Sequence, residues 1–380
     1  MFRTRILHRT AATLPVALLI SAGGCLRAPG IAPIAIAPPM LDPAALSAGQ
    51  TPEFTVETIP VPDELRRPYN HTSCIVALPD GALLVAWGAG TRELAIDTAI
   101  LLARRAPEGT WDTTQVVADF PGFPDANCTL FRDPGGDLHL YWAAVPGENF
   151  CQAILLARDS GDDGETWSDP RPQMPAFCTL LKNKPIVLRS GRWVLPAYTQ
   201  AVYASQFWTS DDAGATWQAG DWLLGMPSNL QPAVVERSDG TLLALMRRGG
   251  APVDAHGVNA FTWQGDSSDG GVTWSLSERD ELLNPDSGLD LLRLESGLLV
   301  LACNDSATLR TPLVVRASLD EGVTWLLPRV VAEIDASDGR SQLSYPSLAE
   351  SADGRVHLTW SDNLKSIAHA EFNLAWMLSP

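Results

Sequence analysis

The sequence predicts an all-β chain folded as a six-bladed β-propeller, with four-stranded antiparallel blades and the last blade closed by an N-terminal strand. Three observations predict it: an octapeptide that recurs four times, a glycine turn that recurs six times between apolar runs, and a C-terminal unit one strand short. The octapeptide keeps Ser-x-Asp-x-Gly-x-Thr-Trp in SGDDGETW (Ser160 to Trp167), SDDAGATW (Ser210 to Trp217), SSDGGVTW (Ser267 to Trp274) and SLDEGVTW (Ser318 to Trp325), and Gly109-Thr110-Trp111 is a degraded fifth copy. Its tryptophans stand 56, 50, 57 and 51 residues apart, which marks one structural unit repeated along the chain. Asp and Ser side chains bond the amides of a hairpin turn, Gly supplies a positive φ, and Trp covers the hairpin beneath. These aspartates therefore specify structure and not catalysis.

The second repeat places Gly81, Gly136, Gly191, Gly240, Gly297 and Gly354 in turns between apolar runs, 55, 55, 49, 57 and 57 residues apart. Each period reads strand, Gly turn, strand, longer link, strand, Asp-type turn, strand, which is one antiparallel blade. Six such units, each too small to bury its own faces, are expected to close radially. After the sixth Gly turn come Val356 to Trp360 and Ser366 to Phe372, with no further Asp-type turn. The alternating segment Glu53 to Ile59 is expected to supply the missing strand.

Ahead of the propeller (residues 52–380), Arg3, Arg5 and Arg9 precede an apolar run, Ala11 to Ile20, and small residues leading to Cys25. This reads as an export signal over residues 1–25. The small residues before Cys25 resemble a lipoprotein cleavage site, so an exported bacterial lipoprotein, periplasmic or on the cell surface and anchored through Cys25, is expected; without lipidation the chain would be secreted. An apolar run of about 10 residues is too short to span ~30 Å of hydrocarbon. The Pro/Ala-rich residues 26–51 read as a tether.

The chain carries a formal charge of −17, which repels phosphate backbones and excludes nucleic acid as a partner. Of the five cysteines beyond Cys25, one or two pairs are expected to bridge in an oxidising compartment. No ligand spacing or phosphate-cradling loop implies a metal or organic cofactor, and a monomer is expected.

In a propeller the residues that begin each innermost strand gather at one mouth of the central channel. That rule selects Asn70-His71, Asn127, Lys182-Asn183-Lys184, Asn229 to Gln231, Ser287 to Asp290 and Ser344-Tyr345. Links leaving the second strands add Arg92, Glu93, Asp97, Glu148, Asn149, Tyr198, Arg247, Arg248, Asn304, Arg310, Asn363 and Lys365. Such polar and aromatic convergence suits a sugar, whose hydroxyls need donors and acceptors and whose ring faces stack on aromatics. Arg247, Arg248 and Arg310 recur at equivalent places in blades four and five, and guanidinium forks match carboxylates. An acidic glycan is the expected partner.

With its Asp-type octapeptides, the chain resembles the sialidase superfamily over about residues 52 to 375. It is more specifically similar to a bacterial sialidase-like, BNR-repeat branch, through HTSCIVALPDGALLVAW (from His71), KNKPIVL (from Lys182), QPAVVE (from Gln231), RTPLVVRASLDEGVTW (from Arg310) and SYPSLAESADGRVHLTW (from Ser344). The resemblance implies a glycoside hydrolase releasing a terminal acidic sugar, with Asp97 as general acid and Arg247 and Arg310 on the substrate carboxylate. Three family positions differ. His71 stands at the first arginine, Gln231 at the glutamate that activates the tyrosine nucleophile, and Trp360 at the tyrosine itself. Tyr345, with Glu93 or His71 as base, is the substitute nucleophile, and Arg248, Asn127, Lys184, Gln231, Asn304 and Trp360 complete the expected substrate contacts. Two other readings stay open: a lyase acting on uronate glycans, with His71 or Tyr345 as base, and a glycan-binding propeller without catalysis.

Overall fold

A computed structural model describes residues 40–112, 114–147, 149–173, 178–249 and 260–379. Cys25, the export signal, residues 26–39 of the tether and Glu148 lie outside the described residues.

Six antiparallel sheets follow one another, and we number the blades in chain order. Their innermost strands are Tyr69–Ala77, Asp125–Arg132, the short pair Leu180–Leu181 and Ile186–Val187, Ser228–Glu236, Asp290–Arg293 and Leu343–Glu350. In blade 6 the outermost strand is Phe54–Thr58, which pairs with Ser366–Phe372 from Phe54↔Phe372 to Thr58↔Ala368. The ring thus closes through both chain ends, as the missing strand required. Phe54 stacks on Trp376 of the short C-terminal helix Leu374–Leu378, with ring centroids 4.4 Å apart. Asn373 caps that helix and also bonds the backbone of Thr51 and Glu53. The end of the tether is docked as well, since Leu41 and Leu46 pack on the blade 5 and 6 core and the Leu41 amide donates to the Leu319 carbonyl.

Each octapeptide folds as its composition dictates. In the first copy the Ser160 hydroxyl donates to Asp162 Oδ1 (2.7 Å) and accepts the Gly164 amide (2.9 Å), while the Thr166 amide donates to Asp162 Oδ1 (2.9 Å). The same bonds recur at Asp212, Asp269 and Asp320. Asp163 and Gly164 both take positive φ, and a Cβ on Gly164 would stand 3.0 Å from Leu84 Cδ1. Glycine at that place is therefore required by backbone and by space.

The core lies between blades. Cys74, Val76 and Leu84 of blade 1 pack against Leu130, Leu140 and Trp142 of blade 2, and Val300, Leu313 and Val315 of blade 5 against Leu348, Leu358 and Trp360 of blade 6. Because the layers are sheets packed face to face, alternate residues of each second strand enter the core on one side, and the others, such as Leu83, Val85 and Trp87, the core on the opposite side. Contrary to the expectation of bridges, Cys74, Cys128, Cys151, Cys178 and Cys303 are all free thiols. Cys74, Cys128 and Cys303 sit in the interblade cores, and Cys151 neighbours Cys178, whose thiol adds to burial in raising the Cys151 pKa.

Candidate active site at the propeller mouth

One backbone device repeats around the mouth. The innermost strands of blades 1, 2, 4 and 6 slip register at His71/Cys74, Ala126/Thr129, Leu230/Ala233 and Ser344/Ser347. Inside each slip one non-glycine residue is left-handed: Thr72 (φ 58), Asn127 (φ 49), Gln231 (φ 56) and Tyr345 (φ 57). A bulge of this kind re-aims a side chain, at a conformational cost of order 1–3 kcal/mol per residue. Here Asn127, Gln231 and Tyr345 are turned into one hydrogen-bonded network.

At its centre is the Tyr345 hydroxyl, which accepts from Gln231 Nε2 (2.9 Å) and Arg247 Nη1 (3.0 Å). Arg247 Nη1 also donates to Gln231 Oε1 (3.0 Å), so the amide oxygen must face the guanidinium and the amide nitrogen the phenol. Gln231 Nε2 and Asn127 Nδ2 both reach the Tyr198 hydroxyl, at 3.3 and 2.7 Å. Arg247 Nε and Nη2 converge on Asp286 Oδ1, at 3.0 and 2.7 Å. Burial alone would make Arg247 easier to deprotonate, but Tyr345 and Asp286 hold it firmly cationic. Arg310 donates to the Asp286 carbonyl (2.8 Å) and to Gln342 Oε1 (2.9 Å), with its guanidinium 6.0 Å from the centre of the Tyr345 ring. Tyr345, Arg310 and Asp286 keep solvent-facing surface, whereas Gln231, Tyr198 and Arg247 are buried. Arg248 is buried too; desolvation lowers its pKa and Asp286 opposes this.

His71 stands on the other side of Tyr345, with ring centroids 4.2 Å apart. Its Nδ1 bonds the Ser361 hydroxyl (2.9 Å), and burial, aided by Arg310 and Arg247, lowers its pKa to about 3. It is therefore a neutral imidazole and supplies no charge where the family has an arginine. Beyond it, Tyr69, His71, Glu93, Asn127 and Phe150 line one hollow, and burial, followed by the Glu93 carboxylate, raises the Tyr69 pKa. Desolvation raises the Glu93 pKa although the residue as a whole keeps exposed surface.

Four expected contacts are placed elsewhere. Trp360 is buried in the blade 6 core beside Leu358, the place that Trp87 and Trp142 fill in blades 1 and 2. Strand alternation turns residue 360 toward blade 5 and residue 361 toward blade 1, which is why Ser361 and not Trp360 meets His71. Asn304 is fully buried and ties blade 5 to blade 6 through the carbonyls of Pro312 and Leu343. Lys184 lies in the channel, where its ammonium meets Asp290 Oδ2 (3.3 Å), Ser347 Oγ (3.0 Å) and the Leu348 carbonyl (2.8 Å). Asp97 is exposed, and its Oδ1 accepts the Thr91 amide (3.1 Å) and hydroxyl (3.0 Å). Burial works to raise its pKa, but these bonds outweigh it and hold the carboxyl below the usual range.

Lys182 and Gly288 form the floor. The Lys182 ammonium reaches the carbonyls of Leu289 and Pro346, and burial lowers its pKa to about 8. A Cβ on Gly288 would meet Gln231 Oε1 at 3.1 Å and Tyr345 Cγ at 3.4 Å. Sequence reasoning did not single out Asp286, Gln342 or Tyr69. Each immediately precedes a segment that the strand-start rule selects, so widening the rule by one or two residues would have found them.

The chain belongs to the BNR repeat-like domain family, matching it over residues 81–358, and folds as a six-bladed propeller. Its fold is similar to that of a Hadza microbial sialidase, Hz136, at 20% identity and a TM-score of 0.67, covering 81% of this chain and 66% of that one, just under two thirds of its length. It is similar also to the intramolecular trans-sialidase of Ruminococcus gnavus solved with oseltamivir carboxylate (15% identity, TM-score 0.67, 84% and 97% covered). An α-L-arabinofuranosidase of Fusarium graminearum, solved with an iminosugar inhibitor, is comparable (14% identity, TM-score 0.62, 84% and 97% covered). No curated protein sequence matches significantly.

Proposed function

We propose that this chain is a glycoside hydrolase that releases a terminal acidic sugar from extracellular glycans. The observation that carries the reading is the convergence of Arg247 and Arg310 on Tyr345, at a mouth of an otherwise strongly acidic protein. Asp286 takes up two Arg247 donors, but Arg310 spends its bonds on a carbonyl and an amide oxygen. Its positive charge is thus met by no direct carboxylate partner among these bonds, which suits an arriving carboxylate. The sialidases among the fold neighbours support the same substrate class. Export and anchoring through Cys25 belong to this proposal, since they would bring the site to extracellular glycans.

Purified protein incubated with α-sialosides and uronate-terminated oligosaccharides is expected to release the terminal sugar. Arg247→Ala and Arg310→Ala should each lower kcat/KM by about 10- to 100-fold, the worth of one charge-assisted contact of roughly 1.5–3 kcal/mol. Unchanged rates in both variants would reject the reading. A second reading, binding without turnover, is favoured by one observation: Tyr345 Oη is met by two N–H donors, Gln231 and Arg247, where a hydrolase tyrosine needs a base. It predicts saturable binding of the same glycans with no product.

A further inference from the structure

We propose that Glu93, which lines a hollow beside Tyr69 and His71, is the proton-donating acid of this site and that Asp97 is not; the assignment rests on the glycosidase reading above. Geometry separates the two carboxylates, although both lie on the link after the second strand of blade 1. Glu93 lines the hollow with Tyr69, His71 and Asn127, and Tyr69 acts on the acidity of its carboxyl. The His71 ring, which lines the hollow, stands 5.8 Å from the Tyr69 ring and 4.2 Å from the Tyr345 ring, so the hollow adjoins the Tyr345 side of the mouth. Asp97 belongs to a turn, tied through Oδ1 to both Thr91 donors, and is not among the residues lining the hollow. The directions of the two acidities agree with this division, because an acid catalyst must hold its proton near neutral pH. Desolvation raises the Glu93 pKa, and the Thr91 bonds outweigh burial to lower that of Asp97.

In the step proposed, the Glu93 proton passes to the glycosidic oxygen as the bond to the anomeric carbon breaks, and the electron pair leaves with the aglycone alcohol. Water then supplies hydroxide to the anomeric carbon, and its remaining proton returns to Glu93. The titratable and charged groups facing Glu93 are Tyr69 and His71 of its own blade, Asp125 of blade 2 and Arg310 from blade 5. Of these Arg310 opposes the rise in its pKa, and the Tyr69 hydrogen bond opposes it too.

The test uses two substrates with the same acidic sugar, one with a second sugar as leaving group and one with 4-nitrophenol, which departs without a proton. Glu93→Gln is expected to lose about 10²- to 10⁴-fold on the first and far less on the second, together with the alkaline limb of the pH profile. Tyr69→Phe should shift that limb while leaving KM in place, as befits a positioning residue. Asp97→Asn should affect both substrates alike. A leaving-group-dependent loss in Asp97→Asn with none in Glu93→Gln would overturn the proposal. If the parent protein cleaves neither substrate, the glycosidase reading fails, and the assignment is then judged by ¹³C NMR titration of the glutamate carboxyls. A Glu93 resonance, identified by its loss in Glu93→Gln, that titrates at or below the ordinary value near ~4.3 overturns it.

Discussion

Tyr345 owes its place to one backbone angle. At φ 57 it turns out of the register of its strand, and its hydroxyl meets Gln231, itself at φ 56 in blade 4. Gln231 is the residue on which chemistry turns. An amide that donates to Tyr345 cannot withdraw the phenolic proton, whereas a carboxylate there can. Gln231→Glu is therefore expected to raise turnover of acidic glycosides by at least about tenfold, a conservative share of what a positioned base contributes. Steady-state rates of the two forms across pH decide the matter, and an equal or lower rate in the variant would show that Tyr345 is not the nucleophile. Residue-level reading assigned Arg247, Arg310, Gln231 and Tyr345 to one mouth, and the structure brings these four side chains together there. It misplaced Trp360, because one step along a strand exchanges one face of the blade for the other, and Asn304, which is drawn to the carbonyls of Pro312 and Leu343.

Among the elements, the closing strand Phe54–Thr58 carries the most consequence. It covers the edge of Ser366–Phe372 with a five-residue ladder, and an uncovered edge of that length invites pairing with other chains. Glu57 in this strand accepts from His369 (3.0 Å) and Arg105 (3.1 Å), tying the latch to blades 6 and 1 at once. Phe54→Ala removes the stack on Trp376 at a partly exposed position. The expected loss is about 2 kcal/mol, below the 3–5 kcal/mol of a fully buried phenylalanine, read from denaturant midpoints at constant m. A loss under ~0.5 kcal/mol would mean that the ladder alone holds the latch.

For the whole molecule, buried titratable groups set opposing pH trends. His71 and His357 are both held near a pKa of about 3 by burial, against 6.5 unfolded. Between those values the unfolded chain binds more protons, so these two histidines lower stability as pH falls. Asp125, fully buried and accepting from the Phe120 amide and Trp142 Nε1, is raised by burial from 3.8 to about 7. Its contribution is complete below pH 3.8 and is lost as pH rises through about 7, the opposite slope. From pH 4 to 6.5 the two histidines and one aspartate leave a net of one proton, or about 1.4 kcal/mol per pH unit. Asp125→Asn removes the opposing group. It should be less stable throughout, and its unfolding midpoint should fall more steeply between pH 6.5 and 4 than that of the parent; parallel curves would refute the assignment.

The repeat itself determined the blade count, the turn chemistry and the closing strand, because octapeptide and glycine turn are local codes whose bonds lie within a few residues. Tertiary structure alone decided which mouth residues work together. The separation of Glu93 from Asp97, the pairing of Lys184 with Asp290 and Ser347, and the meeting of Gln231 with Tyr345 across 114 residues depend on ring closure and on bulges that re-aim single side chains. Local pattern fixes where a strand begins, but the direction of a side chain beyond a register slip follows from neighbouring blades.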